Sequence, residues 1–421
     1  MYRMSRRAYV GVYGVGLGHA SRMLMVAERL KAHGYDLEFS SFGDAVDYID
    51  MHGYRCNMVP EVEFGWNPLS GFNVKRSVMK IPENLFNFTK QLRVEMESIS
   101  RFRADVVISD TRLSTLFASI MLGIPCIVIL NQIKLLLSPR LREFRIVRLF
   151  EDMLGELFGM LWSRGSTLIA PDLPPPYTIS EQNLWHINNA SNILEYSGFM
   201  IPRLVLDEAR VKKVVRALGF DDGCYSHHNH DDNDGHGSNN SPAIVFVHIS
   251  GPSETKHYII RSIVEGLNNM NGHDGNDGKG SSITVVVSEG KPKGDTVPRR
   301  IRNGWYFEWC PYRDELFSIS KVIVMRGGHS TIAQGIHQGK PLICIPIENH
   351  SEQLGNASKV ERLGIGIKLR EKYLRAEDVY EAIYNILNDY SRYERNVMHV
   401  RDVATKMDGV EEVVSRALLL S

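Results

Sequence analysis

Residues 322–357 read VIVMRGGHSTIAQGIHQGKPLICIPIENHSEQLGNA, and this stretch decides the fold. Its first four residues, Val322–Met325, form a short apolar run that is typical of a strand buried on both faces. Gly327 and Gly328 come next and allow the backbone to turn tightly. A helical pattern then leads to a second apolar run at 342–345. A strand, a helix and another strand in this order predict a parallel sheet with right-handed crossovers.

The glycine turn also predicts where a ligand binds. We expect Ser330 and Thr331 to cap a helix that runs to about Gln338. Backbone N–H groups at a helix start lack partners within the helix and attract anions, so a diphosphate is the natural guest. Taken singly, each of these residues is better explained as a turn or a helix cap, and only the ordered set favours a ligand site.

Polar residues follow the second strand of the stretch. Glu352 and Gln353 lie beyond the carboxyl end of that strand, where open α/β sheets bind ligands. Their carboxylate and amide groups suit the hydroxyls of a ribose or a sugar. The alternative is that they form only the polar start of another helix.

The alternation of strands and helices extends towards both ends of the chain. Further apolar runs with strand character lie at 8–13, 36–41, 105–109, 126–130, 243–249, 283–288 and 304–308. We therefore predict an α/β fold of two Rossmann-like, doubly wound parallel-sheet domains that face a cleft. The predicted domains are 1–200 and 201–395, with polar loops at 221–241 and 271–281 and a closing helix at 396–421 that packs back across the junction.

Composition excludes several classes of protein. The chain has 421 residues, which is too long for one ordinary core. Lys+Arg and Asp+Glu each number 49, so no overall charge favours nucleic acid as a partner. We identify no secretory signal and no apolar segment near the roughly 20 residues of a membrane span. Five cysteines without a Cys-x-x-Cys pair indicate buried, reduced thiols and a cytoplasmic protein.

A second glycine-rich turn ends the first apolar run of the chain. It reads GVGLGH at 14–19, and an amphipathic helix is predicted over 20–33. His19 stands where the third glycine of a dinucleotide-binding fingerprint would fall, and no acidic residue closes the next strand, which disfavours a nicotinamide cofactor. Gly16 and Gly18 are instead candidates for a loop beside the phosphates of a ligand, and the turn places His19 at the start of the helix.

An acidic partner for His19 lies at the same end of the predicted sheet. Asp110 follows the strand at 105–109, and we expect it to hydrogen-bond to the His19 imidazole and to stabilise the charge that develops when His19 removes a proton. The alternative is that His19 only begins a helix and that Asp110 only caps the next one. Arg22, one helical turn after His19, either faces the phosphates of the ligand or is an exposed helix residue.

The order of residues in 304–366 closely resembles the nucleotide-sugar half of GT-B glycosyltransferases of the MurG-like and UDP-glycosyltransferase group. The shared elements are an aromatic-x-Pro element, a Gly-Gly-x-x-Thr turn, a Gly-x-Pro strand entry and an acidic-Gln pair before Asn-Ala. They are here Trp309/Pro311, Gly327/Gly328/Ser330/Thr331, Gly339/Pro341, Glu352/Gln353 and Asn356/Ala357. The implied donor-binding residues are Trp309, Cys310, Arg326, Gly327, Gly328, His329, Ser330, Thr331, Glu352 and Gln353.

The resemblance also implies how the donor is held and how it reacts. The base would pack near Trp309 with the Cys310 backbone at its edge, and Glu352 and Gln353 would contact the ribose and the donor sugar. His19 and Asp110 look like the acceptor-side base and its partner in the inverting members. One departure from the family pattern is Gln334, which stands where many such enzymes carry a Glu. Its neutral side chain either alters the contacts to the ribose or serves only in packing.

Clues to the acceptor lie at 132–164, which combine apolar and basic character. Arginines at 140, 142, 145 and 148 stand among leucines, isoleucine and phenylalanine. One interpretation is a peripheral membrane contact that meets anionic lipid and presents a lipid acceptor. The other is a pair of amphipathic helices that caps the first domain. Lipid-linked acceptors are common in the MurG-like branch, so the resemblance adds weight to the first interpretation without excluding the second.

The sequence therefore predicts an inverting glycosyltransferase that needs no cofactor and no metal. It would move a sugar from a nucleoside-diphosphate donor, with a UDP-sugar as the first candidate, to an acceptor hydroxyl. A nucleotide-sugar epimerase on the same fold and a non-catalytic nucleotide-sugar-binding subunit are the alternatives. Histidines at 227, 228, 230 and 236 in the first polar loop leave open whether that loop binds a metal.

Overall fold

The computed structural model describes most of the chain, which forms two compact units. The described residues are 5–15, 17–62, 66–67, 71–72, 79–134, 136, 141–184, 193–202, 208–220, 243–249, 253–269, 283–291 and 294–421. The first unit contains Met1–Pro202, Asn349–Gly355 and Val403–Ser421. The second contains Arg203–Glu348 and Asn356–Asp402.

A seven-stranded parallel sheet forms the centre of the first unit. The strands of this unit are β1 (Arg6–Val12), β2 (Tyr35–Ser41), β3 (Cys56–Met58), β4 (Trp66–Asn67), β5 (Gly71–Phe72), β6 (Val106–Asp110), β7 (Cys126–Ile129), β8 (Thr167–Ala170) and β9 (Leu194–Tyr196). The sheet has the order β3-β2-β1-β6-β7-β8-β9, and β4 and β5 form a separate antiparallel pair. The order reverses at β1, which pairs with both β2 and β6.

The helices of the first unit cover both faces of this sheet. They are α1 (Leu17–Ala32), α2 (Asp44–Met51), α3 (Ile81–Phe102), α4 (Leu113–Leu122), α5 (Arg145–Trp162) and α6 (Glu181–Leu184). Val10 and Ile108 pack on one face with α1, whereas Tyr9 and Val107 pack on the other face. Because both faces are buried, the central strands read as continuous apolar runs.

The second unit repeats the arrangement. Its strands are β10 (Ala243–His248), β11 (Ile283–Ser288), β12 (Arg299–Ile301), β13 (Gly304–Phe307), β14 (Val322–Met325), β15 (Leu342–Cys344) and β16 (Gly366–Lys368). They lie in the order β12-β13-β11-β10-β14-β15-β16, and all pairs are parallel except β12 with β13. The order reverses at β10, which pairs with both β11 and β14.

The remaining helices belong to the second half of the chain. They are α7 (Glu208–Ala217), α8 (Ser253–Asn269), α9 (Arg313–Ile319), α10 (His329–His337), α11 (Ser351–Arg362), α12 (Ala376–Asn388), α13 (Tyr390–Ala404) and α14 (Gly409–Leu420). The last of these, α14, packs against α1 in the core of the first unit through Val410, Val413, Val414 and Ala417. The Tyr35 hydroxyl donates to the Ala417 carbonyl at 3.1 Å, and Asp408 caps the helix start.

The predicted α/β fold of two Rossmann-like halves is confirmed by these two sheets. The helix after the first glycine turn begins at Leu17, three residues before the predicted start, so Gly18 is helical and not part of a loop. Gly16 and Cys224 lie outside the described residues. Cys126, Cys310 and Cys344 are buried free thiols, and Cys56 is half-buried and free. In the part of the chain that the structure describes, no helix is both long and apolar enough to cross a membrane.

Candidate functional site

The first candidate site lies at the carboxyl ends of β1 and β6, where the strand order of the first unit reverses. Ligands bind open α/β sheets at such a reversal. The Tyr13 N–H donates to the Asp110 carbonyl at 3.1 Å and holds the two strand ends together. Asp110 is the last residue of β6 and not, as predicted, the residue after it.

His19 and Asp110 form a hydrogen-bonded pair at this point. His19 Nδ1 lies 3.0 Å from Asp110 Oδ1. The His19 side chain is 21% exposed and the Asp110 side chain is 0% exposed. The imidazole can therefore reach a ligand, whereas the carboxylate can act only through the groups bonded to it. Asp110 does not cap α4, because the N-cap residue is Arg112 and no side chain bonds there.

Arg22 is not the exposed helix residue that was one of its two sequence interpretations. The residue is 6% exposed, and its Nε donates to Asp110 Oδ2 at 2.7 Å while its Nη2 donates to Asp110 Oδ1. Arg22 and His19 are three residues apart on α1 and so lie on one face of the helix. That face meets the end of β6, which draws the guanidinium inwards onto the carboxylate.

The Asp110 carboxyl stays ionised in this setting. Burial alone would raise its pKa, but the adjacent Arg22 and His19 lower the pKa well below its usual range. The Thr111 hydroxyl adds a further bond to Asp110 Oδ1 at 3.0 Å. The pair therefore consists of a permanently charged acceptor and a histidine that is partly open to solvent.

The second candidate site is the glycine turn after β14. Gly327 has φ 91°, a left-handed conformation that favours glycine, and Gly328 is the extended N-cap of α10 with φ −66° and ψ 138°. A Cβ placed on Gly328 would meet no protein atom within 4 Å, so the space beside its backbone is open. Ser330 and Thr331 lie inside the first turn and do not cap the helix as predicted, because the backbone turn at Gly327 already starts it at His329.

Arg326 directly follows β14 and is almost fully buried. We predicted it as a donor-binding residue, but its side chain is only 2% exposed and its Nη2 donates to Glu371 at 2.7 Å. Glu371 also accepts a hydrogen bond from the Glu348 N–H. Burial lowers the pKa of Arg326 and its pairing with Glu371 raises it, with burial dominant. The Glu371 carboxylate thereby joins the residue after β14 and the loop after β15 to the loop after β16.

The residues predicted to meet the nucleobase lie on the loop between β13 and α9. The Trp309 side chain is exposed, whereas Cys310 is buried, which raises the pKa of its thiol to about 12. The departure at Gln334 has two partners in α9, directly after this loop. Its amide accepts from Arg313 Nη2 and donates to Asp314 Oδ1 at 3.1 Å, so Gln334 ties α10 to the start of α9.

Glu352 and Gln353 lie in the first turn of α11, and both are half-buried. They belong to the segment Asn349–Gly355, which groups with the first unit. Asn131 Nδ2 donates to Glu352 Oε1 at 3.4 Å, a contact that the sequence did not indicate. Further along α11, the residues from Asn356 onward belong to the second unit. Asn356 Nδ2 donates to the Gly327 carbonyl at 3.2 Å and supports the glycine turn.

The sequence left open whether the polar loops bind a metal, and those loops lie outside the described residues. Within the described ranges, no three His, Cys, Asp or Glu side chains are grouped so that they could hold a metal ion. The histidines at 227, 228, 230 and 236 and the loop at 271–281 lie outside those ranges.

Comparisons with known proteins agree with this architecture. Residues 6–140 match the family model described as glycosyl transferase family 1, and residues 261–412 match the glycosyltransferase family 28 C-terminal domain. An uncharacterized glycosyltransferase of Methanosarcina mazei is 26% identical over 413 residues, which cover 96% of this chain and 95% of the relative. A second match is to the UDP-N-acetylglucosamine--N-acetylmuramyl-(pentapeptide) pyrophosphoryl-undecaprenol N-acetylglucosamine transferase of Thermosipho africanus. It is 28% identical over 105 residues, or 24% of this chain and 30% of that protein.

Solved structures share the fold. The calicheamicin glycosyltransferase CalG4 superimposes with a TM-score of 0.65 at 14% identity, over 99% of this chain and 98% of that structure. Two doubly wound sheets of this kind are the architecture of the GT-B fold. With the family matches at both ends of the chain, the protein is a glycosyltransferase of the GT-B fold.

Proposed function

We propose that the protein transfers a sugar from a UDP-sugar to an acceptor hydroxyl with inversion at the anomeric carbon and without a metal. The observation that carries this proposal is the open glycine turn at Gly327–Gly328, which ends β14 and starts α10. The name of the Thermosipho africanus relative includes a UDP-sugar, which favours uridine among the nucleotides.

The donor diphosphate would lie against the first turn of α10. Backbone N–H groups there point out of the helix, and the helix dipole adds positive potential at the same place. The space beside Gly328 allows a phosphate to approach the backbone closely. Because these groups stabilise the charge that develops on the leaving diphosphate, no divalent cation is required. Trp309 offers an aromatic surface beside the base, and Glu352 and Gln353 offer polar groups to the ribose or the sugar.

His19 would act as the general base on the acceptor side. With Nδ1–H donating to Asp110 Oδ1, the Nε2 lone pair is available to the acceptor hydroxyl. Nε2 takes the hydroxyl proton while the oxygen bonds to the anomeric carbon. The bond between that carbon and the diphosphate oxygen breaks, and UDP leaves. A single displacement of this kind inverts the anomeric centre.

An exposed apolar stripe on α5 supports a lipid acceptor and a peripheral membrane contact. Its side chains recur at the i, i+3, i+4 and i+7 spacing of one helix face and comprise Ile146, Leu149, Phe150, Met153, Leu157 and Met160. The exposed residues Arg145 and Arg148 flank its first turns. Apolar side chains with flanking arginines suit the surface of an anionic bilayer. Of the other predicted arginines, Arg142 pairs with Glu151 at 2.9 Å and Arg140 lies outside the described residues.

A donor panel tests the proposed function. The full-length protein is screened by thermal shift against UDP-glucose, UDP-galactose, UDP-N-acetylglucosamine, GDP-mannose and dTDP-glucose in the presence of EDTA. We expect a UDP-sugar to give the largest stabilisation. The best donor is then incubated alone and with lipid and small-molecule acceptors, and the anomeric configuration of the product is read from its proton NMR coupling. Retention of configuration, or transfer that stops in EDTA, would contradict the proposal.

Vesicle sedimentation tests the membrane contact. We expect the protein to bind phosphatidylglycerol vesicles and not phosphatidylcholine vesicles, with binding lost at high salt. Leu149→Glu should abolish binding, because it places a charge in the apolar stripe. Met51→Glu, the same kind of change at an exposed methionine on α2, is the matched control and should bind normally. Equal binding by Leu149→Glu would refute the membrane contact.

A further inference from the structure

The Asp110 carboxylate is surrounded by donors from three residues. Oδ2 accepts from Arg22 Nε at 2.7 Å, and Oδ1 accepts from Arg22 Nη2, from His19 Nδ1 and from the Thr111 hydroxyl. The carboxylate is fully buried. A buried anion needs a counter-charge, and two cations are within reach: the permanent guanidinium of Arg22 and the imidazolium that His19 would form.

Only one of those two cations is compatible with a base at His19. A histidine that is already protonated on both nitrogens cannot remove a proton from the acceptor. We propose that Arg22 supplies the counter-charge of Asp110, so that His19 stays neutral with Nε2 free, and that Arg22 and Thr111 are positioning residues of the transfer. This inference rests on the proposed role of His19 as the base.

The surroundings of the imidazole support this division of roles. In the described part of the chain, the titratable groups that contact the ring are Asp110 from β6, Arg22 from α1 and Tyr13 from the loop after β1. The Tyr13 ring lies edge-on to the imidazole with centroids 5.5 Å apart. Arg22 Nη2 is 2.9 Å from His19 Nδ1, so the guanidinium contacts both members of the pair. The guanidinium thus supplies a counter-charge to Asp110 and also lies against the ring nitrogen that faces the carboxylate.

Thr111 contributes through its backbone. It has φ 57°, a conformation that is unusual and strained for a β-branched residue. Its N–H donates to the Ile129 carbonyl at 3.0 Å, which fixes the turn against β7. The turn brings the Thr111 hydroxyl to Asp110 Oδ1 at 3.0 Å, on the oxygen that His19 shares. The carboxylate is thereby held in one orientation for the imidazole.

The charge state of His19 is a direct readout that needs no substrate. Full-length protein labelled with ¹⁵N in its histidine rings is studied by NMR at pH 7.5, and the His19 signals are identified by their absence in His19→Ala. We expect one protonated and one unprotonated ring nitrogen in the wild type, with the proton on Nδ1. In Arg22→Met both nitrogens should be protonated. Arg22→Lys, which retains the charge, and Arg29→Met, which removes an exposed arginine from the same helix, should match the wild type.

Two NMR results would overturn the inference: a neutral His19 in Arg22→Met, or an imidazolium already present in the wild type at pH 7.5. If Arg22→Met does not fold, Arg22→Gln carries the same expectation, because its amide can donate to Asp110 but adds no charge.

Thr111→Val keeps the shape of the side chain and removes its hydroxyl. It should leave the charge state unchanged and lower kcat without changing KM for the donor.

Transfer rates separate a failure of this inference from a failure of the proposed base. Arg22→Met should lower kcat at pH 7.5 by about ten- to a thousandfold, because removing a cation this close shifts a protonation equilibrium by that factor. Most of the loss should be recovered at pH 9. In a His19→Ala background the same change should alter the rate by less than about threefold. An equal loss in both backgrounds would overturn the role of Arg22, whereas full activity in His19→Ala would overturn the base itself.

Discussion

Asp110→Asn removes the charge of the buried carboxylate and keeps its size. In the folded protein, the carboxylate accepts two hydrogen bonds from Arg22, whose side chain is almost fully buried. The substitution leaves the guanidinium buried without its counter-charge, and removing one partner of such a pair costs about 3–5 kcal/mol of unfolding free energy. The Asn carbonyl oxygen should occupy the Oδ1 position, because three donors meet there and only Arg22 Nε meets Oδ2.

The effect of Asp110→Asn on the reaction has a different origin. His19 keeps an acceptor for Nδ1–H, but the charge that it gains during proton transfer no longer faces an anion 3.0 Å away. At an effective dielectric constant of 20 this interaction is worth up to about 4 kcal/mol at 4 Å, so we expect kcat to fall by roughly a hundred- to a thousandfold. KM for the donor should change little, because the diphosphate is proposed to bind at the glycine turn after β14.

Single-turnover transfer with saturating donor, together with thermal denaturation, measures both effects. The double variant Asp110→Asn/Arg22→Met removes both charges and should regain most of the lost stability without regaining the rate. A folded Asp110→Asn protein that retains more than about a tenth of the wild-type rate would refute the reasoning, because general-base catalysis alone supplies roughly a hundredfold or more.

Three further predictions concern the second unit and the C-terminal helix. Gly328→Ala should fold normally, because the added Cβ would meet no protein atom, but it should weaken UDP binding at least about tenfold in calorimetry. Gly327→Ala should instead lower the unfolding free energy by about 1 kcal/mol, because Gly327 has a positive φ. Burial, and then the charges of Arg313 and Lys256, lower the pKa of His248 from 6.5 to about 3. Below pH 6.5 the unfolded chain therefore binds a proton that the folded chain excludes, so the free energy of unfolding falls as the pH drops. At pH 5 this loss is about 2 kcal/mol, and His248→Phe should remove it in denaturant titrations. Val413→Ala should lower the unfolding free energy of the first unit by roughly 2 kcal/mol, because its side chain is fully buried against α1.

Local patterns in the sequence were sufficient to predict the fold. Strands such as β10 and β14 are buried on both faces, so they appear as uninterrupted apolar runs whose bounds can be read directly. The pairing of His19 with Asp110 could be anticipated because the carboxyl ends of parallel strands meet at one edge of a sheet. The position of the α10 start was predicted less well, since the backbone turn at Gly327 fixes it and no side-chain cap is used.

The partners of buried charges could not be predicted. Arg22 bonds a carboxylate 88 residues away in the chain, and only the packing of α1 against β6 turns it inwards. Arg326 likewise turns towards Glu371, 45 residues later. The left-handed Thr111 follows a strand without a glycine or asparagine to signal the turn. Each of these features depends on contacts between distant elements, which periodicity and local propensity do not record.

A crystal structure of the protein soaked with UDP tests the central claim most directly. We predict that the diphosphate lies against the first turn of α10, with its oxygens in hydrogen-bond distance of backbone N–H groups within 328–331 and with the uracil beside Trp309. Nucleotide bound elsewhere, or a diphosphate that leaves the space beside Gly328 empty, would contradict the donor site and the transfer reaction built on it.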